Sequence, residues 1–451
     1  MNDSCKSRPM FSNRALVSLS VPIVIDAVLA IFTGMVDTAM VSSAGEAAVG
    51  AISLMDQLFL LFVTLFSALA SGGVVVTAQY IGSGDLKKAR TSANQLLYAS
   101  TAMALLVTVA AIGFIPQIIR LVYGDLEQAV FENARDYFFY VLLGMPCLAM
   151  ASSCTALLRA MGRSKLALIL AIGANALNII GNATMIYGFR MGAAGAAIST
   201  TFSRTLWCIA AMYFMHSRKL PVYFENLLKF RLDLDVMRRV LKVGTANGLE
   251  SGLFQVGKLL VASLISSFGT LAIAANSVAN TLCNIGWTIV GSLGTVLLTV
   301  VGQCIGAGEP EQARHYTRKL LILGHILVFT LFGSVFLLRH QLVRLFDFGP
   351  EALELAAYYT GAGALLTMAA LYGSAFLPVA AFRSAGDVRY AVVMAVSTMF
   401  IFRVGLSYLL NAVTELGLMC VWLGMWADWT CRTVLNTIRF RSGKWLNKKL
   451  I

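Results

Sequence analysis

The sequence predicts an all-α integral membrane protein with about twelve transmembrane helices in two pseudo-symmetric six-helix lobes. Composition is the first observation behind this prediction. Hydrophobic residues make up 58% of the 451 residues and charged residues 13%, and the mean hydropathy is +0.77. A soluble domain carries roughly a quarter charged residues. The chain therefore falls outside the soluble class.

Apolar stretches recur along the whole chain and are the second observation. About twelve of them approach or exceed the ~18–20 residues that a helix needs to cross a bilayer. Their approximate ranges are 14–38, 49–75, 92–115, 133–157, 165–188, 193–215, 239–266, 272–300, 316–338, 353–381, 388–411 and 416–437.

The third observation is an internal repeat. TAQYIGSGDLKKAR at 77–90 recurs as VGQCIGAGEPEQAR at 301–314, a shift of 224 positions. The same shift relates Arg159 to Arg383 and Asp26 to Glu250. A constant shift indicates duplication, and an even number of spans in each half gives both halves the same orientation. We therefore predict an N-terminal lobe at 1–216, a cytoplasmic linker at 217–235 and a C-terminal lobe at 236–451.

The net charge of +13 is carried by loops. Positive residues cluster before the first span and after the even-numbered spans, for example Lys87, Lys88 and Arg90. The positive-inside rule then places both termini in the cytoplasm. This distribution counts against a nucleic-acid partner. We expect a multi-pass protein of the plasma membrane that acts as a monomer in the lipid bilayer.

The repeated Q-x-I-G-x-G segments predict a glycine turn after the second helix of each half. The residues that follow, DLKKAR and EPEQAR, predict a short amphipathic helix on the cytoplasmic face. No phosphate-binding P-loop sequence is present, so an ion gradient would have to drive any pumping. The eight cysteines and four histidines lack metal-binding spacing, and we expect no cofactor apart from a coupling ion.

The paired Q-x-I-G-x-G segments, the R-x-x-G turns after the fourth and tenth spans, and Pro22 followed by VDTAMV at 36–41 resemble the multidrug and toxic compound extrusion (MATE) family. The resemblance covers essentially the whole chain. It implies two six-helix lobes that rock around a central cavity. It also implies export of organic cations and other drug-like amphiphiles in exchange for Na⁺ or H⁺.

Asp37 is the leading candidate for ion coupling. An ionisable group inside a bilayer costs roughly 2.5–3.5 kcal/mol on insertion scales, and the family resemblance places an ion-binding aspartate at this position. Asn178 and Asn182 share one face of the fifth span, and the sixth span adds Thr200, with Ala196 one turn earlier. Such oxygen ligands suit a small cation such as Na⁺. The alternative role for the asparagines is hydrogen bonding between helices.

The resemblance leaves the coupling ion open between Na⁺ and H⁺, because many family members carry an aspartate at the position of Asn182. Glu250 matches a seventh-span glutamate that one branch of the family uses for cation coupling in the second lobe. Tyr372 stands where that branch has an aspartate, so this second acidic site is incomplete.

Other charged residues lie within apolar spans. Asp26 lies eleven residues before Asp37, near the same helix face, and could extend an ion path along the first span. Asp428 and Arg432 lie four residues apart and could pair with each other. The remaining charged residues of this kind show no partner in the sequence: Asp56, Lys258 and Arg403.

Two other functions compete with drug efflux. A lipid-linked oligosaccharide flippase of the wider superfamily is favoured by Arg204 and Arg403 but opposed by the acidic first span. An intramembrane enzyme would need a motif such as HExxH or GxSxG, and neither occurs. We therefore predict a transporter with no enzymatic activity and no catalytic residues.

Overall fold

The computed structural model is helical through most of the chain that it describes. The described residues are 9–43, 46–124, 126–225, 227, 231–346, 349–448 and 450–451. The chain divides into two compact units. The first unit is Val17–Gly248, and the second unit comprises Met1–Leu16 and Leu249–Ile451.

The helices differ widely in length. In chain order they are α1 (Asn13–Ser42), α2 (Glu46–Gly82), α3 (Leu86–Gly113), α4 (Ile115–Tyr123), α5 (Gln128–Leu143), α6 (Met145–Ala160), α7 (Ser164–Asn182), α8 (Gly192–Met215), α9 (Leu234–Ser266), α10 (Thr270–Gly306), α11 (Pro310–Val343), α12 (Pro350–Ala369), α13 (Tyr372–Ser384), α14 (Val388–Thr398), α15 (Ser407–Val413) and α16 (Met419–Arg441). Two π-helical segments follow α7 and α14: Ala183–Gly188 and Met399–Leu406.

The predicted set of about twelve spans is confirmed within the described chain. Eight helical spans are long and apolar enough to cross a membrane, and two bent pairs raise that number to ten. The other two are α8 and α16, which have 24 and 23 residues. They are long enough to cross but less apolar, because α8 contains Arg204 and α16 contains Asp428 and Arg432.

Two spans that the sequence predicts as single helices are bent. The pair α5 and α6 bends by 46°, and the pair α12 and α13 bends by 54°. The first bend falls at Gly144, where Pro146 lies in the first turn of α6, a position that suits proline because the first turn needs no donor there. The second bend falls at Leu371, whose φ of 51° lies in the left-handed region. Apolar periodicity alone does not reveal either bend.

The predicted glycine turns are present in both halves. Gly84 and Gly308 adopt φ values of 79° and 73°, which favour glycine because it has no Cβ. The predicted separate amphipathic helices are wrong. DLKKAR and EPEQAR lead directly into α3 and α11. Asp85 caps α3 by accepting a hydrogen bond from the Lys88 backbone amide at 2.9 Å. Ala89 and Ser92 are buried, so this segment packs as the first part of the long helix α3.

The beginning of α9 packs within the first unit. A Cβ on Gly72 of α2 would lie 2.6 Å from the Gly244 amide nitrogen and 2.7 Å from the Val240 carbonyl oxygen. Asn247 Nδ2 also donates to Ser71 Oγ at 2.7 Å. The compact units therefore divide within α9, at residues 248 and 249, and not in the predicted linker. Residues 226 and 228–230 of that linker lie outside the described residues, and the lobe boundaries remain a prediction.

We expect Gly72→Ala to lower the melting temperature of the purified protein, because the new methyl group would meet backbone atoms that no side-chain rotation can move. Overpacking of this kind costs about 1–3 kcal/mol. Gly50→Ala is the matched control on the same helix, since a Cβ there meets no atom within 4 Å. Thermal unfolding in detergent measures both variants. Equal melting temperatures would disprove the close contact between α2 and α9.

Candidate ion-coupling site

The predicted coupling residues of the first unit lie together. Asp37 on α1 accepts a hydrogen bond from Asn182 Nδ2 at 2.9 Å. The hydrogen bonds of the Asn178 amide are satisfied when its nitrogen faces the Asp37 carboxylate. The nitrogen then donates to Asp37 Oδ1 at 3.0 Å and to Asp37 Oδ2 at 3.2 Å. In that orientation Asn178 Oδ1 accepts from the Thr200 hydroxyl at 3.2 Å. Three helices thus converge on one carboxylate.

A close approach of α7 and α8 positions the amides. A Cβ on Gly181 would lie 2.3 Å from Ser199 Oγ, so a larger residue there would displace the Ser199 hydroxyl. The Ser199 hydroxyl donates to the Asn178 carbonyl oxygen at 3.1 Å, which ties the two helices together. Ala196, the remaining predicted member, is buried in the hydrophobic core of this unit, one turn before Thr200.

The polar atoms of this cluster are not all satisfied. Asn182 is 1% exposed, and its Oδ1 is buried without a hydrogen-bond partner among the described residues. A buried polar group without a partner is costly. The π-helical segment Ala183–Gly188 begins directly after Asn182, and such segments are frequent at functional sites. The cluster therefore offers a small cation one carboxylate, two amide oxygens and a hydroxyl after modest side-chain rotations.

Sequence reasoning missed a second polar group beside Asp37. The Tyr137 hydroxyl donates to Asp56 Oδ1 at 2.9 Å. Arg204 places its guanidinium 4.2 Å from the centroid of the Phe59 ring, and it interacts electrostatically with both Asp56 and Asp37. Two carboxylates and one guanidinium leave this region with one negative charge in excess. Asp37, Asp56, Tyr137 and Arg204 lie on four different helices, so no sequence spacing connects these four residues.

Asp26 and Glu250 both pair with arginine. Asp26 on α1 forms an ion pair with Arg159 on α6, and Glu250 on α9 forms one with Arg383 on α13. The two pairs are related by the 224-residue shift. Neither carboxylate lies alone in its unit, and the predicted roles of Asp26 as a relay and of Glu250 as an acidic coupling site remain predictions.

The suggested pair on α16 is confirmed. Asp428 Oδ1 accepts from Arg432 Nε at 2.7 Å, and both side chains are buried.

A duplicated bundle of membrane-spanning helices with a buried carboxylate–amide cluster defines a polytopic membrane transporter. A model of the family described as MatE matches residues 22–184 and again residues 248–409, one match in each half of the repeat. The chain belongs to this family of multidrug and toxic compound extrusion transporters, whose members are transporters and not enzymes.

Relatives and solved structures resemble the chain over nearly its whole length. It is 27% identical to the "Uncharacterized transporter YisQ" of Bacillus subtilis, with 98% of this chain and 97% of the relative covered. It is 24% identical to the "Probable multidrug resistance protein NorM" of Thermotoga maritima, covering 97% and 94%. An outward-facing multidrug resistance MATE family transporter superposes with a TM-score of 0.89 at 20% identity, covering 97% of each chain.

Proposed function

We propose that this transporter is a secondary antiporter that exports organic cations and amphiphilic drug-like molecules in exchange for Na⁺ or H⁺. The observation that carries the proposal is the first-unit cluster around Asp37. Its carboxylate and its two amides, including the unpartnered Asn182 oxygen, form a polar group among otherwise apolar helices. A small cation would satisfy it.

Neutralisation of Asp37 is the proposed switch. A bound proton or a bound Na⁺ would each remove the net charge of the carboxylate and change its hydrogen bonds to α7. Helix α1 contains Pro22, which cannot donate to the carbonyl oxygen of residue 18, so the helix is weakened between two and three turns from its start. A change at Asp37 can then alter the bending of α1. Rocking of the two lobes would convert this local change into alternating access.

Na⁺ is the coupling ion that the ligand set favours slightly. A proton needs only the carboxylate, whereas Na⁺ needs several oxygen ligands. Asn182 and Thr200 keep neutral oxygens beside a single acid. The oligosaccharide flippase is less well supported in this unit, because the acids beside Arg204 balance its charge. We place the antiporter in the plasma membrane as a monomer with both termini in the cytoplasm.

Dye efflux from proteoliposomes tests the proposed function. A Na⁺ gradient and a pH gradient are imposed separately, and export of a cationic dye is followed by fluorescence. We expect one of the two gradients to drive export above the level of protein-free liposomes. If the rate of dye export were the same with and without each gradient, the antiport proposal would be wrong.

Loss of a neutral ligand should separate the two ions. If Na⁺ is the coupling ion, we expect Asn178→Ala and Thr200→Ala each to raise the Na⁺ concentration for half-maximal efflux about tenfold, which corresponds to ~1.4 kcal/mol of binding free energy. If H⁺ is the coupling ion, the effects should be mild. Thr184→Ala is the matched control, because that exposed hydroxyl donates only to the Ile180 carbonyl of its own helix. If a Na⁺ gradient drives efflux and both Asn178→Ala and Thr200→Ala keep the wild-type Na⁺ dependence, then Asn178 and Thr200 are not Na⁺ ligands.

A further inference from the structure

A cationic pair in the second unit lies outside the proposed coupling site. Lys258 is exposed on α9, one turn after Phe254, and Arg403 belongs to the π-helical segment Met399–Leu406. The Lys258 Nζ and the Arg403 Cζ each lie 5.4 Å from the centroid of the Phe254 ring. Two positive side chains therefore share one aromatic ring.

Helix packing keeps this pair together. A Cβ on Gly257 would lie 2.4 Å from Met399 Cε, so glycine allows the π-helical segment to approach α9 closely. Met399 precedes Arg403 by four residues, about one helical turn. On the far side of Arg403, the Tyr408 hydroxyl donates to the Leu260 carbonyl oxygen at 3.0 Å. The two segments are thus in contact on both sides of the cationic pair, and π-helical segments are frequent at functional sites.

The positive charge of this region is not balanced by protein acids. Arg403 is 7% exposed, and in the described part of the chain neither Arg403 nor Lys258 forms a salt bridge. Asp428 attracts Arg403 electrostatically, but its Oδ1 already accepts from Arg432 Nε. Three cations and one carboxylate leave two positive charges in excess, and Lys258 and Arg403 repel each other.

An external anion would balance this charge. Charged side chains within membrane spans are costly and mark substrate or ion pathways, and a cation–π contact compensates a charge less than an ion pair does. A guanidinium presents a fork of donors that matches a carboxylate or a phosphate. Lys258 is exposed as a residue and gives such a group access to the pair, and the half-buried Phe254 ring offers an apolar surface beside it.

We propose that Lys258 and Arg403 bind the carboxylate or phosphate group of an amphipathic anion, whose apolar part packs against Phe254. This site is separate from the cluster around Asp37 and takes a ligand of opposite charge. The shared chemistry is an anionic group on an apolar body, which occurs both in a soluble aromatic acid and in an anionic phospholipid.

Equilibrium binding of 2-naphthoate tests the proposal, with neutral 2-naphthamide as the matched ligand. The full-length transporter is used in nanodiscs of phosphatidylcholine. We expect wild-type protein to bind the carboxylate at least about tenfold more tightly than the amide. Lys258→Gln and Arg403→Gln should each weaken naphthoate binding at least about fivefold, and Lys258→Arg should preserve it.

Two controls keep the test specific. Arg389→Gln removes an exposed positive charge from the first turn of α14 and should leave naphthoate affinity unchanged. Asp37→Asn should also leave the naphthoate affinity unchanged. The antiport proposal is tested by efflux and the anion site by naphthoate binding, so failure of either proposal can be distinguished from failure of the other. Because Lys258 is exposed, Lys258→Gln remains informative even if the Arg403 variant does not fold.

Added phosphatidylglycerol identifies the source of the anion. Competition with naphthoate that Lys258→Gln abolishes would assign the site to a phospholipid headgroup. Absence of competition, together with naphthoate uptake into proteoliposomes, would assign it to a soluble organic acid. Equal affinity for naphthoate and naphthamide, or unchanged affinity in Lys258→Gln, would overturn the proposal.

Discussion

Asp37→Asn should reduce gradient-driven efflux to the level of protein-free liposomes, under either a Na⁺ or a pH gradient. Asparagine has nearly the shape of aspartate but cannot lose a proton and carries no charge for a cation. The variant therefore imitates the neutral state permanently. A ligand can shift a conformational equilibrium only through a difference in affinity between two states, and the variant removes that difference for the coupling ion.

Substrate binding separates this mechanism from simple misfolding. Asp37→Asn should still bind a cationic dye, with an affinity within about threefold of wild type, because the cluster of amides around residue 37 remains. Asp136→Asn is the matched control, since Asp136 is a half-exposed acid paired with its neighbour Arg135, and its efflux should be unchanged. Full gradient-driven efflux by Asp37→Asn would end the proposed switch.

The repeat is the part of the sequence that predicted most of the structure. A single 224-residue shift aligned Asp26 with Glu250 and Arg159 with Arg383, and the structure contains the two corresponding ion pairs. The sequence could not show that these residues touch, because the partners in each pair are separated by 133 positions. Duplication preserves equivalent positions, whereas contact depends on how the helices pack.

The cluster around Asp37 shows the same limit. Asp37, Asn178 and Asn182 are predicted because a carboxylate and amides are rare within apolar spans and because the family resemblance implies an ion-binding aspartate at position 37. Tyr137 is absent from the predicted site, and Arg204 is predicted only as a cationic residue that favours a flippase, since an aromatic residue or a single arginine within a span gives no signal of its partner. The burial and contacts of Arg204 follow from three helices meeting at Asp56, which is tertiary information.

The bends and the unit boundary also required tertiary information. The stretch 133–157 is predominantly apolar, so periodicity alone predicts one straight helix, although Gly144 and Pro146 permit a break. The compact units divide within α9 because its first turns pack against α2 around Gly72. Polar composition in 217–235 marks a loop but does not determine which helices the next segment contacts.

Glu250→Gln should impair efflux of cationic dyes, and its pairing with Arg383 adds an expected loss of stability. The two side chains are only 17% and 22% exposed, and the substitution leaves the guanidinium without its counter-ion. Breaking a buried pair costs about 3–5 kcal/mol, and partial exposure should reduce this to about 2–3 kcal/mol. Thermal unfolding in detergent should show a melting temperature several degrees lower, with membrane expression near that of wild type.

The double variant Glu250→Gln with Arg383→Gln distinguishes charge compensation from coupling. Removal of both charges eliminates the unpaired guanidinium, so we expect more than half of the lost melting temperature to return. Efflux should stay impaired if Glu250 has the predicted coupling role, because its acidic side chain is still absent. Asp26→Asn, alone and with Arg159→Gln, is the matched pair in the first unit and should show the same loss and recovery of stability. If efflux returned together with stability in the Glu250 double variant, Glu250 would serve only to hold α9 against α13, and the second unit would have no acidic coupling site at this position.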